Sequence, residues 1–271
     1  MSLQIVELHF DRDIDFDLAA IRDRSQELLG DIIAIGQTEG EPGILIHQSH
    51  QVAYTEGLLP AQTALLPKQG RADTGLYQKE IQQSWRCQNA QALLERSAHQ
   101  ILITELICMG LEPLVRVQLF HAVLQAAIEL TAPIAIVCKH TQQVIDPDDY
   151  LEACEQPPYL RPGALNVRFF TLTDTDGDML MDTLGLHAVG LLDFQCHYRR
   201  LEPAQVADHL YGVAVYTVEN GPVIENGHTI AGIDGDSKWR CQIENALVPP
   251  EREVIDINPG TPFAAGNRTG E

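Results

Sequence analysis

The stretch Glu112–Cys138, EPLVRVQLFHAVLQAAIELTAPIAIVC, decides how the chain is read. Leu114, Val117, Phe120, Leu124 and Ile128 fall at helical spacing, and Val115, Leu119, Val123 and Ala126 widen the stripe. A helix is therefore predicted over 112–130. An apolar face this broad is expected to be sandwiched between other elements. The run Pro133–Cys138 follows after only a few residues and is short, β-branched and uncharged, as a central strand requires. A sandwiched helix leading straight into a buried strand points to a layered helix-and-sheet protein.

Working outward, Gln88–His99 has helical periodicity and Gln100–Ile107 reads as a buried strand. Residues 3–9 read as a strand, Asp15–Leu29 as a helix, and Asp31–Ile35, Gly43–His47 and Gln51–Tyr54 as short strands. Leu58–Tyr77, with Pro60, Pro67, Gly70 and Gly75, is expected to be a loop, and the best candidate for a mobile lid or linker. Asp146 is placed to cap a short helix over 146–153. On the carboxyl side, Asn166–Leu172 and Leu191–Tyr198 read as strands, and Glu202–Glu219 as a helix ended by Asn220-Gly221. His228–Ile233, Ser237–Ile243 and Glu253–Ile257 read as closing strands. Helices and strands mix without regular alternation, which predicts an α+β fold of mixed, mostly antiparallel sheets with about four main helices. The expected organisation is an amino-terminal subdomain and loop (1–78), a main domain (79–257) and a disordered tail (258–271).

The chain has 271 residues, 38 acidic against 18 basic, and a formal net charge of −20. Too few cations remain for a basic groove, so direct nucleic-acid binding is not expected, because phosphate neutralisation supplies most of that affinity. The apolar fraction of 45% argues against global disorder. No secretory pattern opens the chain and no apolar run reaches the ~20 residues of a membrane span, so a cytoplasmic protein with no membrane partner is expected. The six cysteines contain no CxxC pair, and free thiols are expected.

Candidate chemistry is sparse. The stretch Thr173–Asp182, TDTDGDMLMD, places aspartates at alternate positions like a calcium loop. Counted from Asp174, however, the sixth position is Met179 and the twelfth Gly185, where the loop needs a glycine and a bidentate glutamate. An acidic solvent-exposed turn is the expected reading. Cys196 and His197 are adjacent on a strand, point to opposite faces and form no dyad. No His-x-x-x-His spacing, Walker loop or Gly-x-Gly-x-x-Gly occurs, and no metal or cofactor is expected. Trp85, at a helix entry, is expected in the core, and the echo of Trp85-Arg86-Cys87-Gln88 in Trp239-Arg240-Cys241-Gln242 is taken as coincidence.

Three elements carry a family resemblance. They are Trp85 with Asn89-Ala90 and the strand Ile101-Leu102-Ile103-Thr104; Thr183-Leu184-Gly185-Leu186 with Gly190; and Asn226-Gly227-His228-Thr229-Ile230-Ala231-Gly232. Together they resemble an uncharacterised bacterial family, a domain of unknown function (number forty-two sixty-one), over most of residues 50–257. That resemblance implies an α+β fold, no established activity, and a context near toxin–immunity or secretion loci. The leading expectation is a non-catalytic acidic protein that binds a basic protein partner such as a toxin, as immunity proteins do. Asp174, Asp176, Asp178 and Asp182 are its candidate docking residues. The alternatives are an enzyme whose site is assembled from loops, Leu58–Tyr77 closing over Asp174–Thr183, or a structural accessory of a secretion system.

Overall fold

A computed structural model describes residues 3–30, 32–35, 42–55, 57–173, 175 and 177–266. The chain forms two compact units, Met1–Ala164 and Leu165–Glu271. The α+β class holds in both.

The first unit contains strands β1 (Ile5–Phe10), β2 (Ile32–Ile35), β3 (Gly43–Tyr54), β4 (Gly57–Gln69), β5 (His99–Leu106), β6 (Ala135–Cys138) and β7 (Gln143–Ile145). Its helices are α1 (Leu18–Leu29), α2 (Gln78–Gln82), α3 (Ala90–Arg96), α4 (Pro113–Thr131) and α5 (Pro147–Glu152). The strands make one antiparallel sheet in the order β2-β3-β4-β5-β1-β6-β7. Helix α4 is sandwiched as its sequence predicts: Leu119 to Ile128 are buried without a break. Val123, Leu124 and Ile128 join Val6, Leu8, Phe10, Leu45, Ile101 and Ile103 of the sheet, and Phe16, Leu18 and Ile21 from the α1 segment, in one core. At roughly 1.5–3 kcal/mol per buried large side chain, α4 contributes on the order of 10 kcal/mol before chain entropy is subtracted. Arg12 donates to the carbonyls of Thr131 and Ala132 and so closes the carboxyl end of this helix. Strand β6 divides its side chains by the period of two. Ile136 and Cys138 enter the α4 core, while Ala135 and Val137 enter a second core with Tyr77, Cys87, Ala90 and Leu94.

The second unit contains β8 (Asn166–Thr171), β9 (Met179–Leu184), β10 (Asp193–Tyr198), α6 (Pro203–Asn220), β11 (Thr229–Ala231), β12 (Lys238–Asn245) and β13 (Glu253–Asn258). The sheet order is β11-β12-β13-β10-β9-β8, antiparallel except for β10 beside β13. Helix α6 packs on β8, β9 and β10 through a stripe of Val206, Leu210, Ala214 and Val218.

Several expectations give way here. Most of Leu58–Tyr77 is not loop but strand β4, followed by a single 3-10 turn at Thr74–Tyr77. Its prolines survive because each has a strand on one side only. Pro60 faces Gln51 of β3, beyond the reach of β5, and Pro67 faces Ile101 of β5, beyond the reach of β3. The boundary expected near residue 78 falls between β4 and β5, which are paired neighbours in one sheet, and the units divide instead at 164/165. The tail expected to be disordered is anchored through residue 266: Arg199 N–H donates to the Phe263 carbonyl, Ala265 N–H donates to the His197 carbonyl, and Ala265 is buried. Residues 267–271 lie outside the described residues. Trp85 is 59% exposed, its expected core place being taken by Cys87 and Ala90. The two Trp-Arg-Cys-Gln copies fold differently, one in a turn region and one in β12, and the six cysteines are thiols outside any disulfide.

Candidate functional site

Of the four aspartates expected to form a docking face, Asp174 and Asp176 lie outside the described residues. Asp178 is buried and paired with Arg199, whose Nε lies 3.0 Å from its carboxylate. Asp182 is wholly buried in β9, so it presents nothing to a docking partner. The correction has a physical cause. The acidic run reads as a turn along the sequence, but from Met179 onward it is a strand, and register decides where Asp182 points.

That register builds a polar row across the second sheet. Arg168 pairs with Asp182, Asp182 with Gln195, Gln195 with Asp256 and Asp256 with Gln242. Directly opposed residues share a face, and Arg168, Asp182, Gln195 and Asp256 are all buried on it. Arg168 grips Asp182 with both ends of its guanidinium, Nε to Oδ1 at 2.9 Å and Nη2 to Oδ2 at 2.5 Å. The segment from Ala246 to Arg252 closes over the row. Leu247 N–H donates to Gln195 Oε1, and Arg168 Nη1 donates to the Pro249 carbonyl. Arg252 then inserts its guanidinium between two carboxylates, 2.8 Å from Asp182 Oδ2 and 3.1 Å from Asp193 Oδ2.

Asp193 is the hub of this arrangement. Its wholly buried carboxylate accepts from Thr183 Oγ1, the Leu186 N–H, His187 Nδ1 and Arg252 Nε. Gly185 makes this possible with φ +144°, turning the chain so that the Leu186 amide faces back toward the strand ends. His187, itself partly buried, donates to Asp193 Oδ2 through Nδ1 at 2.8 Å. Burial pushes the Asp182 carboxyl above its usual range, against the pull of Arg168 and Arg252. The chemistry is that of a closed ionic lock, with each carboxylate held by guanidinium groups and Asp193 also by a backbone amide.

Residues 182–258 match the family described as Domain of unknown function (DUF4261). The match opens on Asp182 itself and runs through β10, α6 and β13, so it spans Asp193, Arg252 and Asp256 of the site. It covers less than half of the chain and does not extend to the expected element around Trp85 and Ile101–Thr104. No curated protein and no solved structure matches the chain.

Both DUF4261-like turns identified in the sequence lie in the matched segment. Thr183-Leu184-Gly185-Leu186 seats Asp193, as described. The later turn ends on Gly232, where an added Cβ would lie 2.1 Å from Ser237 Oγ and 2.4 Å from Trp239 Nε1. Gly232→Ala is expected to push the buried Trp239 out of place and destabilise the protein by about 1–3 kcal/mol. A lower melting temperature with a red-shifted tryptophan emission is the result to look for, and an unchanged melt would refute the packing role.

Elsewhere the described residues offer less. In the first unit Glu105 and Arg116 form a buried pair joined by Gln4, beside a cavity of about 10 Å³ that His47 and Cys108 also line. An open groove of about 410 Å³ runs past Leu28, Gln118 and Gln125 to Arg161. Arg161 is already engaged by Gln125 Oε1 and the carbonyls of Cys154 and Gln156. No cluster of three or more His, Cys, Asp or Glu suited to a metal occurs among the described residues. Helix α4 is long and apolar enough to cross a membrane, but most of it is buried in the first core. The lid expected from Leu58–Tyr77 is tied into ladders with β3 and β5.

Sequence reasoning missed Arg168, Asp193, His187 and Arg252 as a set. One signal was present: Arg168 interrupts Asn-Val-Arg-Phe-Phe and Asp182 interrupts Met-Leu-Met-Asp-Thr-Leu, single charges inside apolar strands. A lone charge in such a strand needs an opposite one across the ladder.

Proposed function

We propose that the chain is a non-catalytic binding protein whose acidic surface captures a basic protein partner, in the manner of an immunity protein neutralising a toxin. The cytoplasmic placement expected from the sequence belongs to the same reading. The support is electrostatic. The interior pairs Glu105–Arg116, Asp182–Arg168 and Glu80–Lys139 cancel, so the excess of 20 negative charges is carried largely by exposed carboxylates. Both units are acidic: residues 1–164 hold 22 acidic and 11 basic side chains, residues 165–271 hold 16 and 7.

The observation that carries the reading is the stretch 146–155, DPDDYLEACE, which contains five acids and no base. Asp146 caps α5, Tyr150 is buried, and Asp148, Asp149, Glu152 and Glu155 are all exposed. None of these four forms an ion pair among the described residues. Such a field raises encounter rates with cationic surfaces and is screened by salt.

The test begins by capturing basic proteins of the host on the immobilised chain at low salt. The affinity of a purified captured protein is then compared with that for D148N/D149N/E152Q/E155Q. A drop of tenfold or more, against no change in the control D208N/E225Q, is expected. Affinity indifferent both to salt and to the four substitutions would overturn the proposal.

A further inference from the structure

Strand β3 carries twelve residues, GILIHQSHQVAY, without one Asp, Glu, Lys or Arg. That is unusual in a chain of which 21% is charged. From Gly43 to Pro67 the only such residue is Glu56. The far end of this hairpin also stands apart from the rest of the sheet. β2 pairs only with Ile44–His47, and the ladder with β4 then slips between His47 and Gln51. Beyond that irregularity Gln51–Tyr54 pairs with Gly57–Pro60, while β5 begins its pairing with β4 at Gln62. The result is a two-stranded ribbon. Among the described residues, no strand lies beside the outer edge of Gln51–Tyr54.

Exposed edges of this kind are normally blunted by a charge or a proline. The β4 side of the ribbon has Pro60; the β3 side has neither. The ribbon also carries apolar surface, with Leu58 66%, Tyr54 47% and Leu59 44% exposed. Val52 alone is covered, and its side chain lies within contact distance of a Cβ placed at Gly110.

We infer that this edge is a self-association surface, on which Gln51–Tyr54 of one molecule pairs antiparallel with the same segment of a second copy. A second copy is the occupant that the charge pattern favours. Two bodies of −20 repel wherever carboxylates meet, whereas the paired segments Gln51–Tyr54 and Gly57–Pro60 carry no charged side chain to oppose a second copy. A basic partner gains no charge contact here. An antiparallel edge is also self-complementary, so pairing it with itself closes a two-fold dimer and leaves no growing end. Backbone hydrogen bonds would supply register, and Leu58 and Tyr54 the apolar area.

The salt response separates this surface from the acidic one. Dimerisation between like-charged bodies strengthens as salt rises, whereas capture of a basic partner weakens. Sedimentation of the full chain is expected to show twice the single-chain mass of 30.0 kDa in the micromolar range, more so at high salt. Leu58→Glu, at an exposed position, and Ala53→Pro, on the open strand, should each lower the association constant at least tenfold. Leu76→Glu, at a position also well exposed but in the Thr74–Tyr77 turn, should leave it unchanged. A single-chain mass at every concentration and salt overturns the inference. So does a dimer indifferent to both ribbon substitutions.

Discussion

Replacing Arg252 by methionine is expected to destabilise the protein by about 3–5 kcal/mol, the cost of leaving buried charge without its partner. The side chain is 6% exposed and bridges Asp182 Oδ2 and Asp193 Oδ2, both on wholly buried carboxylates. Methionine keeps the length and apolar body of the stem and removes the five donors. Asp182 would retain only Arg168, and Asp193 only His187, Thr183 and one backbone amide. Domains are typically stable by about 5–15 kcal/mol, so the loss would bring the second unit close to unfolding at room temperature. Arg252→Lys should fall between the two, since a point charge cannot serve both carboxylates with a planar fork. Urea titration followed by tryptophan fluorescence reads the effect, because Trp239 is buried in the same sheet. A deficit below about 1 kcal/mol would mean that the ionic lock is not what holds the segment from Ala246 to Arg252 down. The deficit should also shrink in acid. Burial already raises the Asp182 carboxyl, and losing a guanidinium raises it further, so protonation relieves the variant at a higher pH, and by more, than it does wild type.

The lock shows why the fold was more legible than the site. Helical and strand periodicities are properties of neighbours in sequence, and α4, β6, α6 and most strands of both sheets follow from them. Residue 182 is different: its role is set by Arg168 on one flanking strand, Gln195 on the other, and a guanidinium 70 positions later. No local pattern carries that register. The glycines of Thr183–Gly190 and Asn226–Gly232 were visible as turns, but not that one turn seats a hub carboxylate and the other leaves space for an indole. The error at β4 has the same origin. Prolines in sequence signal breaks, although what matters is whether a neighbouring strand needs the missing N–H, and at Pro60 and Pro67 only one strand is present. A place at a helix entry points Trp85 to the core, yet the second core closes with the smaller Cys87 and Ala90.

Acid should weaken the first unit well before its carboxylates titrate, because two histidines are buried there in neutral form. His47 is held through Nε2, 2.8 Å from Thr63 Oγ1, and His121 through Nδ1, 3.0 Å from Tyr150 Oη. Burial, with a smaller contribution from His50, lowers His47 from 6.5 to about 4. Burial, followed by Arg161 and His140, lowers His121 from 6.5 to about 3. In the unfolded chain both take a proton near 6.5, while in the folded chain both resist it. Their contribution is therefore complete above about pH 6.5 and is lost as the pH falls toward 4 and then 3. Each histidine withdraws on the order of 3 kcal/mol by pH about 4. Two together approach the whole stability of a typical domain. The carboxyls of Glu7 and Glu129 are lowered in the fold, so they add to the loss only at more acid pH, and Asp182 acts in the opposite sense. The unfolding free energy measured between pH about 6.5 and 4.5 reads this loss, to which His209 of the second unit, also lowered by burial, adds, with a slope of about 1.4 kcal/mol per pH unit for each proton taken up on unfolding. His121→Gln should start less stable at neutral pH, having lost its fit against Tyr150, and should show a slope shallower by about one proton. An unaltered slope in both His121→Gln and His47→Gln would show that neither imidazole is kept neutral by the core.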